Sequence, residues 1–499
     1  MRIAIIGSGA AAVGALHGIL GGEREVEVAV FDRGVSPHGE LETGVAPERW
    51  SHEDHRRLYR AARGDLGLRF PPPKTHFGQR LPQHRVDGVP RPFRSELFGG
   101  LTNFWGATML PFTSDELAPW PIDDLSEEYR EIAHLVGIAG RRDALNEYFP
   151  EEFSNLPPLR PLPAVERLES AVNAAPAEGA YRVVAGANRA AVETRPEEPR
   201  SCVYCGECMV GCFRDSVYGA RHSMEGLLGR PQVRYLVGDV RAVDPARGAV
   251  VVRGAQGTEE HAGFDRILLA AGCLGSTEIV MRSLGLREGP EVFDNAVYVF
   301  PILFLGRRAS RDPADHYVAL SNLILGCLPR EPGRDFVQAQ VYPFFDYLWR
   351  YYLPVGAWRL VQPLARRLRA RVLWVRMYLH SRRSPRYALH LDGSGRLRLS
   401  SAAPGATPGE LAPLMRSLRR AVGREGFYLP PVRPLPQRTS SHYAGTLPFG
   451  GEAVPVAADG AVLPGVHLCD SATFPEAPAT SPTFTIMANA LRIGRSAVA

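Results

Sequence analysis

The chain has 499 residues, a formal charge of +5, 45% hydrophobic residues and 22% charged residues. This length accommodates more than one domain, and the composition is that of an ordinary globular protein rather than a disordered or fibrous one. Lys74 is the only lysine among the basic residues. The arginine excess indicates a compositional bias before it indicates a nucleic-acid site, so we expect no nucleic-acid partner. The seven cysteines are too unevenly spread for a secreted disulfide scaffold.

The sequence predicts a cytoplasmic protein. No run of about eighteen uncharged apolar residues is present, so we expect no transmembrane helix. The first predicted strand begins at Arg2, which leaves no room for a signal peptide or a twin-arginine leader. Any membrane association would therefore be peripheral.

The N-terminus has the pattern of a dinucleotide-binding site. Residues 2–6 form an apolar run typical of a buried parallel strand, and a G-x-G-x-x-A sequence follows at Gly7, Gly9 and Ala12. Gly7 permits a tight turn, Gly9 lets the backbone approach a pyrophosphate, and Ala12 lets helix and strand pack closely. The second predicted strand ends at Asp32, whose carboxylate can accept hydrogen bonds from a ribose. A single fingerprint in a long chain favours FAD without a nicotinamide site; the alternative is a glycine-rich turn without ligand.

Four cysteines form a compact cluster, C-x2-C-x2-C-x3-C, made of Cys202, Cys205, Cys208 and Cys212. The spacing is that of an iron–sulfur ligand loop, because four thiolates so close in sequence can surround one cluster. A tetrathiolate zinc site and a loop without metal are the alternatives. A flavin beside a one-electron relay would belong to a dehydrogenase that exports its electrons.

Further motifs are spread along the chain. They are LFGGLTNFWG at 97–106, AAGCLGS at 270–276, SHYAGT at 441–446, LCDSATFP at 468–475 and SPTFTIMA at 481–488. Together they resemble the glucose–methanol–choline (GMC) oxidoreductases, FAD enzymes that oxidise alcohols and sugars. The cysteine loop and its tail at 218–223 are similar to those of the iron–sulfur sugar dehydrogenases of that family. That similarity implies a 3Fe–4S cluster on Cys202, Cys208 and Cys212, or a 4Fe–4S cluster if Cys205 is a fourth ligand.

The resemblance implies an α/β fold with two domains. One would be a doubly wound Rossmann-type FAD-binding domain, and the second an α+β substrate-binding domain built on an antiparallel sheet. The predicted segments are 1–115 (the first FAD-binding segment), 116–164 (a helical and loop insertion), 165–290 (the second FAD-binding segment, with the cysteines), 291–439 (the substrate-binding domain) and 440–499 (the third FAD-binding segment, with the active-site motifs).

The resemblance also assigns roles to individual residues. His442 corresponds to the family's active-site base, an imidazole that can take the hydroxyl proton while hydride leaves for the flavin. The family's second catalytic group, His or Asn, is Ser481 here, which can donate one hydrogen bond but reaches less far. Phe104 occupies the position of a flavin-tethering histidine, so we expect noncovalent FAD. The implied FAD-binding residues are Gly7, Gly9, Ala12, Asp32, Gly99, Gly100, Asn103, Val240, Asp470 and Ser471.

We therefore expect an FAD-dependent dehydrogenase that oxidises a hydroxyl group of an alcohol, sugar or sugar-like substrate by hydride transfer to the flavin. Its electrons would pass through the iron–sulfur cluster to an electron-acceptor protein. The departure at Ser481 leaves an alternative, a divergent non-catalytic or electron-relay family member whose cysteine loop is structural.

Residues 347–383 contain nine arginines and no acidic residue. Apolar residues from Leu360 to Leu379 recur at helical spacing, which predicts a basic amphipathic stretch. Such a stretch can lie on an anionic membrane surface. It could equally dock a partner protein, border the substrate entrance, or be a packed helix pair whose arginines are solvated.

Overall fold

The computed structural model describes residues 1–34, 94–206, 208, 212, 214–254, 257–306, 317–344, 353, 355–393, 395–436 and 441–499. The strands of these residues are β1 (Arg2–Ile6), β2 (Glu27–Asp32), β3 (Tyr181–Ala187), β4 (Val233–Val237), β5 (Asp239–Asp244), β6 (Ala249–Gly254), β7 (Gly257–His261), β8 (Arg266–Leu269), β9 (Glu288–Phe293), β10 (Val297–Phe304), β11 (Leu323–Pro329), β12 (Val337–Pro343), β13 (Val372–Tyr378), β14 (Arg386–Leu391), β15 (Leu397–Ala403), β16 (Phe427–Tyr428), β17 (Leu435–Pro436), β18 (Ala461–Leu463) and β19 (Val466–Leu468). The α-helices are α1 (Ala10–Leu20), α2 (Ser114–Leu117), α3 (Ser126–Val136), α4 (Pro163–Asn173), α5 (Ala220–Leu228), α6 (Cys273–Ser283), α7 (Val355–Arg369), α8 (Pro408–Val422) and α9 (Thr483–Val498).

A mainly parallel six-stranded sheet has the order β18-β19-β8-β1-β2-β4. The strands from β19 to β4 pair in parallel, and only β18 runs antiparallel to its neighbour. Ile3, Ala4, Ile5 and Ile6 of β1 are almost fully buried, because both faces of a parallel sheet are covered. The prediction of an α/β fold with a parallel sheet is confirmed.

The second large sheet is antiparallel, with the order β16-β10-β13-β12-β11-β3 and β17 paired to β10. Every pairing in it is antiparallel, which confirms the prediction of a second domain built on such a sheet. Its edge strand β3 comes from residues 181–187, before the segment expected to form the substrate-binding domain. The boundaries of the five predicted segments stay a prediction.

Two three-stranded antiparallel sheets complete the strands of the described residues, with the orders β15-β14-β9 and β5-β6-β7. The short runs at 388–391 and 397–399, separated by a turn sequence that begins Asp392-Gly393, predict a hairpin from the sequence alone. The pairing of β14 with β15 confirms it. The sheet β5-β6-β7 follows β4 along the chain, and its strand β5 contacts helix α6 and strand β2.

The first and last helices pack at backbone distance. A Cβ atom on Gly14 or Gly18 of α1 would lie 2.3 Å from the carbonyl oxygens of Met487 and Leu491 of α9, respectively. Glycine is therefore required at these positions if the two helices are to approach so closely. This contact brings the C-terminal motifs next to the N-terminal fingerprint, although they are at opposite ends of the sequence.

The basic segment is a helix followed by a strand, not a continuous helix. Helix α7 ends at Arg369, and β13 then runs through the middle of the antiparallel sheet between β10 and β12. The expected helical spacing is therefore wrong beyond Arg369, because Leu373, Val375 and Met377 alternate into the core with the period of a strand. Residues 347–352 and 354 lie outside the described residues. Among the described helices, none has the length and hydropathy needed to cross a membrane.

Candidate active site

The predicted cofactor-binding residues converge at the carboxyl ends of the parallel strands. Gly7 follows β1, Asp32 ends β2, and Asp470 follows β19. In open α/β sheets, ligands bind at this edge, in the crevice at the point where the strand order reverses. The tertiary structure therefore places the N-terminal and C-terminal motifs around one crevice.

The fingerprint glycines have different surroundings. Gly7 has a φ of +116°, and a Cβ there would lie 2.4 Å from the carbonyl oxygen of Ala270, so the turn itself requires glycine. Gly9 has ordinary extended backbone, and a Cβ there would meet only Gly100 and Gly99, at 3.9 and 4.0 Å. The protein fold does not demand glycine at position 9. The glycine there fits a site where a bound group approaches the backbone at the start of α1.

The second glycine turn packs directly against the first. The backbone N–H of Gly99 donates to Ser8 Oγ at 3.0 Å, and Ser8 donates to Asp32 Oδ2 at 2.8 Å.

The Asn103 side chain holds the second turn in shape. It donates to the carbonyls of Phe98 and Gly100 and accepts from Arg221. Phe104 directly follows this turn and is buried.

Asp32 is engaged by protein donors at both carboxylate oxygens. The Tyr235 hydroxyl and the N–H of Gly34 donate to Oδ1, opposite the bond from Ser8 to Oδ2. A carboxylate oxygen accepts more than one hydrogen bond, so a ribose hydroxyl can share these acceptors. Val240 lies in β5, shortly after the end of β4. The last residue of β4, Val237, pairs with Asp32.

Asp470 and Ser471 lie on the opposite side of the crevice. Asp470 accepts from the Ser276 hydroxyl at 2.5 Å and from the N–H of Ala472 at 3.0 Å. Burial raises the pKa of Asp470 to about 6. The Ser471 hydroxyl donates to the carbonyl of Tyr443 at 2.6 Å, which joins this loop to the segment carrying His442. The two loops therefore form one wall.

His442 is fixed by two residues that follow β9. Its backbone N–H donates to Asp294 at 3.1 Å, and its ring Nδ1 lies 3.1 Å from Asn295 Oδ1. Asn295 Nδ2 donates to the carbonyls of Leu379, Ala477 and Pro478, which fixes the orientation of the amide. Because the amide presents its oxygen to the ring, Nδ1 carries the hydrogen and the lone pair is on Nε2.

The surroundings keep His442 neutral. Burial, and then the positive charge of Arg376, lower the pKa of His442 to about 3. The ring stacks on Tyr378 of β13, with ring centres 5.1 Å apart. A neutral imidazole held by Nδ1, with its Nε2 lone pair as acceptor, has the form that a proton-accepting base requires.

Ser481 is held by the antiparallel sheet. Its hydroxyl accepts hydrogen bonds from Gln338 at 3.1 Å and Gln340 at 3.2 Å, both on β12. Gln338 pairs in register with Tyr378, the residue that stacks on His442. The sheet thus links the two predicted catalytic residues, which are 39 positions apart in the chain.

The four cysteines are neighbours but do not form a coordination site. Burial raises the pKa of the Cys208 thiol well above its ordinary value, and Cys205, Cys212 and Cys202 raise it further. Among the residues that the structure describes, which include these four, no group of three or more His, Cys, Asp or Glu side chains could hold a metal ion. The described thiol positions therefore give no support of their own to the predicted cluster. Residues 207, 209–211 and 213 of the loop lie outside the described residues.

The tail of the cysteine loop packs on the glycine turn. The N–H of Ala220 donates to Thr102 at 2.8 Å, and Trp105 donates to the carbonyl of Tyr218 at 2.7 Å. Arg221 bridges from Asn103 to Asp215, which lies three residues after Cys212. The cysteine loop and the predicted flavin-binding turn therefore form one packed unit.

Sequence reasoning missed Asn295, Gln338 and Gln340. Gln338 and Gln340 stand two apart in an otherwise apolar strand and are buried, and a buried amide pair with strand periodicity is a signal for a functional face. Asn295 carries no local signal, because its partners come from three distant segments.

The fold defined by these two sheets is shared with a solved oxidoreductase structure. The chain is similar to the crystal structure of pyridoxine 4-oxidase from Mesorbium loti over 99% of this chain and 98% of that one. The TM-score is 0.62 and the sequence identity is 14%, so the similarity concerns the fold. No protein-family profile and no curated protein matches the sequence.

Proposed function

We propose that this protein is an FAD-dependent oxidoreductase of the GMC type, a dehydrogenase that oxidises a hydroxyl group of an alcohol, sugar or sugar-like substrate. The full-length fold similarity to pyridoxine 4-oxidase, a GMC oxidoreductase, supports the class. The observation that carries the proposal is His442, a neutral imidazole held through Nδ1 by Asn295 on the wall of the predicted flavin crevice.

The residues present fit an FAD molecule. Gly7 and Gly9 offer backbone at the start of α1, Asp32 offers a carboxylate to the ribose, and Gly99 and Gly100 form a second backbone surface against them. Phe104 has no ring nitrogen for a covalent link, so the cofactor would bind noncovalently. Bound FAD would supply the hydride acceptor for alcohol oxidation.

The chain's own groups would manage the proton. His442 Nε2 would take the proton of the substrate hydroxyl, and the hydrogen bond to Asn295 would hold the ring in the required tautomer. Ser481 would donate a hydrogen bond to the same substrate oxygen. Because burial disfavours the imidazolium, His442 stays unprotonated until a substrate arrives.

Two measurements test the proposal. Purified protein should contain FAD that denaturation releases, and anaerobic addition of a panel of alcohols and sugars should bleach the flavin absorption with at least one member. A protein that neither contains FAD nor takes it up contradicts the cofactor assignment. FAD that no alcohol reduces would favour the non-catalytic alternative.

The iron–sulfur cluster belongs to the proposal on the strength of the cysteine spacing. The packing of the loop tail on the glycine turn would place such a relay beside the flavin. Because no three of the described side chains converge as ligands, we assign no electron-transfer step to it. An electron-accepting protein partner is proposed with the cluster and depends on it.

Peripheral membrane contact through residues 347–383 is also proposed. In α7, Leu360 is 83% exposed and Leu364 is 50% exposed, and Arg359 and Arg367 are exposed on the same turns. Exposed leucines beside arginines suit an anionic bilayer surface. Binding to anionic vesicles that falls with salt, and falls further in Arg359→Gln/Arg367→Gln, would support this contact; equal binding to neutral vesicles would contradict it.

A further inference from the structure

The Ser481 hydroxyl has both of its acceptor positions filled. Gln338 Nε2 donates to it at 3.1 Å and Gln340 Nε2 at 3.2 Å. All three residues are buried, with exposed fractions of 0% for Gln338, 3% for Gln340 and 6% for Ser481. A hydroxyl offers two acceptor positions and one donor, so only the donor of Ser481 remains.

Each amide oxygen has a partner other than the Ser481 hydroxyl. Gln338 Oε1 accepts the backbone N–H of Ser481 at 3.0 Å. Gln340 Oε1 accepts the hydroxyl of Tyr342. Because the backbone N–H of Ser481 can only donate, Gln338 must present its oxygen to that N–H and its Nε2 to the hydroxyl, and the reverse orientation would set two donors against each other. Gln340 lies between two hydroxyls, with its oxygen on Tyr342 and its Nε2 on Ser481.

The hydroxyl proton therefore points away from the two glutamines. None of the residues that the structure describes accepts this proton in a hydrogen bond. A hydroxyl that accepts two hydrogen bonds is polarised and becomes a better donor. Ser481 is thus prepared to donate one directed hydrogen bond.

The donor and the predicted base share one wall. Gln338 and Gln340 alternate along β12, so both side chains point to the same face of the antiparallel sheet. On the adjacent strand, Tyr378 pairs in register with Gln338 and stacks on His442. An oxygen atom between Ser481 and His442 would meet a donor on one side and an acceptor on the other.

We infer that Gln338 and Gln340 are positioning residues that orient Ser481 as a hydrogen-bond donor to the oxygen of the substrate. The inference rests on the proposed function and deepens it. A serine has no choice of direction when two amides hold its lone pairs, which compensates for its short reach relative to the histidine or asparagine expected at this position.

The test reverses the polarity of one amide. In Gln340→Glu, a carboxylate replaces the donor and accepts the Ser481 proton, which turns the hydroxyl away from substrate. Anaerobic flavin reduction by the alcohol that reduces the parent fastest should slow by at least about tenfold, the scale of one lost hydrogen bond. Gln340→Met, which removes the donor without adding an acceptor, should slow it less. Gln362→Glu on α7 is the control with the same change of charge.

A double-mutant cycle separates positioning from general disruption. In a Ser481→Ala background, Gln340→Glu should have little further effect, because the hydroxyl it redirects is absent. Calorimetric titration of the oxidised holoenzyme gives a second readout. The carbonyl product of the same alcohol should bind about tenfold more weakly to Gln340→Glu, whereas the analogue with hydrogen in place of the oxygen should bind as it does to the parent.

The outcomes are distinguishable. Equal effects of Gln340→Glu with and without Ser481, or equal weakening of the carbonyl compound and its oxygen-free analogue, would show a structural role and overturn the inference alone. A parent holoenzyme that no alcohol reduces overturns the proposed function and the inference with it. If Gln340→Glu loses its flavin, the same cycle with Gln340→Met decides.

Discussion

Gly7 and Gly9 make a matched pair, because alanine at the two positions should damage different properties of the protein. A Cβ at Gly7 would lie 2.4 Å from the carbonyl oxygen of Ala270, and the backbone there has a φ of +116°. Positive φ costs a non-glycine residue about 1–3 kcal/mol, and relieving the overlap costs a similar amount. We therefore expect Gly7→Ala to lower the free energy of unfolding by several kcal/mol, about the sum of these two costs.

Gly9→Ala should leave the protein without cofactor nearly as stable as the parent. Its Cβ would meet only ordinary contacts, at 3.9 and 4.0 Å, and the φ of −80° suits alanine. The change at a helix N-cap costs about 1 kcal/mol or less. The added methyl group would occupy the approach of a pyrophosphate. Losing two charge-assisted hydrogen bonds of about 1.5 kcal/mol each would weaken FAD binding by roughly a hundredfold.

Thermal unfolding of the flavin-free variants and titration with FAD measure the two effects separately. The expected pattern is low stability for Gly7→Ala, and normal stability with weak flavin binding for Gly9→Ala. Parental FAD affinity in Gly9→Ala would refute the assignment of that backbone to the cofactor. Parental stability in Gly7→Ala would refute the steric reading of the turn.

Three further predictions concern the base and the cysteines. His442→Ala should reduce its flavin about a hundredfold more slowly while keeping its flavin content, and a parental rate would contradict the role of the base. Because the pKa of His442 is lowered to about 3, the unprotonated form persists in the folded protein as the pH falls through 6.5, the ordinary histidine value. The rate of flavin reduction should therefore show no titration of His442 between about pH 4 and pH 7, and a break near 6.5 that disappears in His442→Gln would contradict the buried environment. Anaerobically prepared protein should contain iron and acid-labile sulfide in proportion to flavin, and both should be lost in Cys208→Ser; flavin without iron or sulfide leaves the cysteines as a structural loop or a zinc site.

The sequence by itself determined the features that depend on short stretches of chain. The fingerprint at Gly7 and Gly9, the strand ending at Asp32, and the hairpin of β14 and β15 each follow from a few adjacent residues whose backbone preferences decide the local structure. The fold class followed as well, because the motifs taken together resemble a family and that resemblance implies its fold. Local patterns failed at residues 372–378, where apolar residues predicted at helical spacing lie in a strand. There the neighbouring strands β10 and β12 supply hydrogen bonds that outweigh the local preference.

Only the tertiary structure decided which distant side chains meet. Asn295 holds His442 while its amide group binds carbonyls near Leu379 and Ala477, and no spacing in the sequence announces that convergence. Gln338 and Gln340 reach Ser481 because β12 lies beside the loop before α9. A hydrogen bond depends on distance and direction in space, so the tautomer of His442 and the orientation of the Ser481 hydroxyl are properties of the packed sheets and not of any one segment.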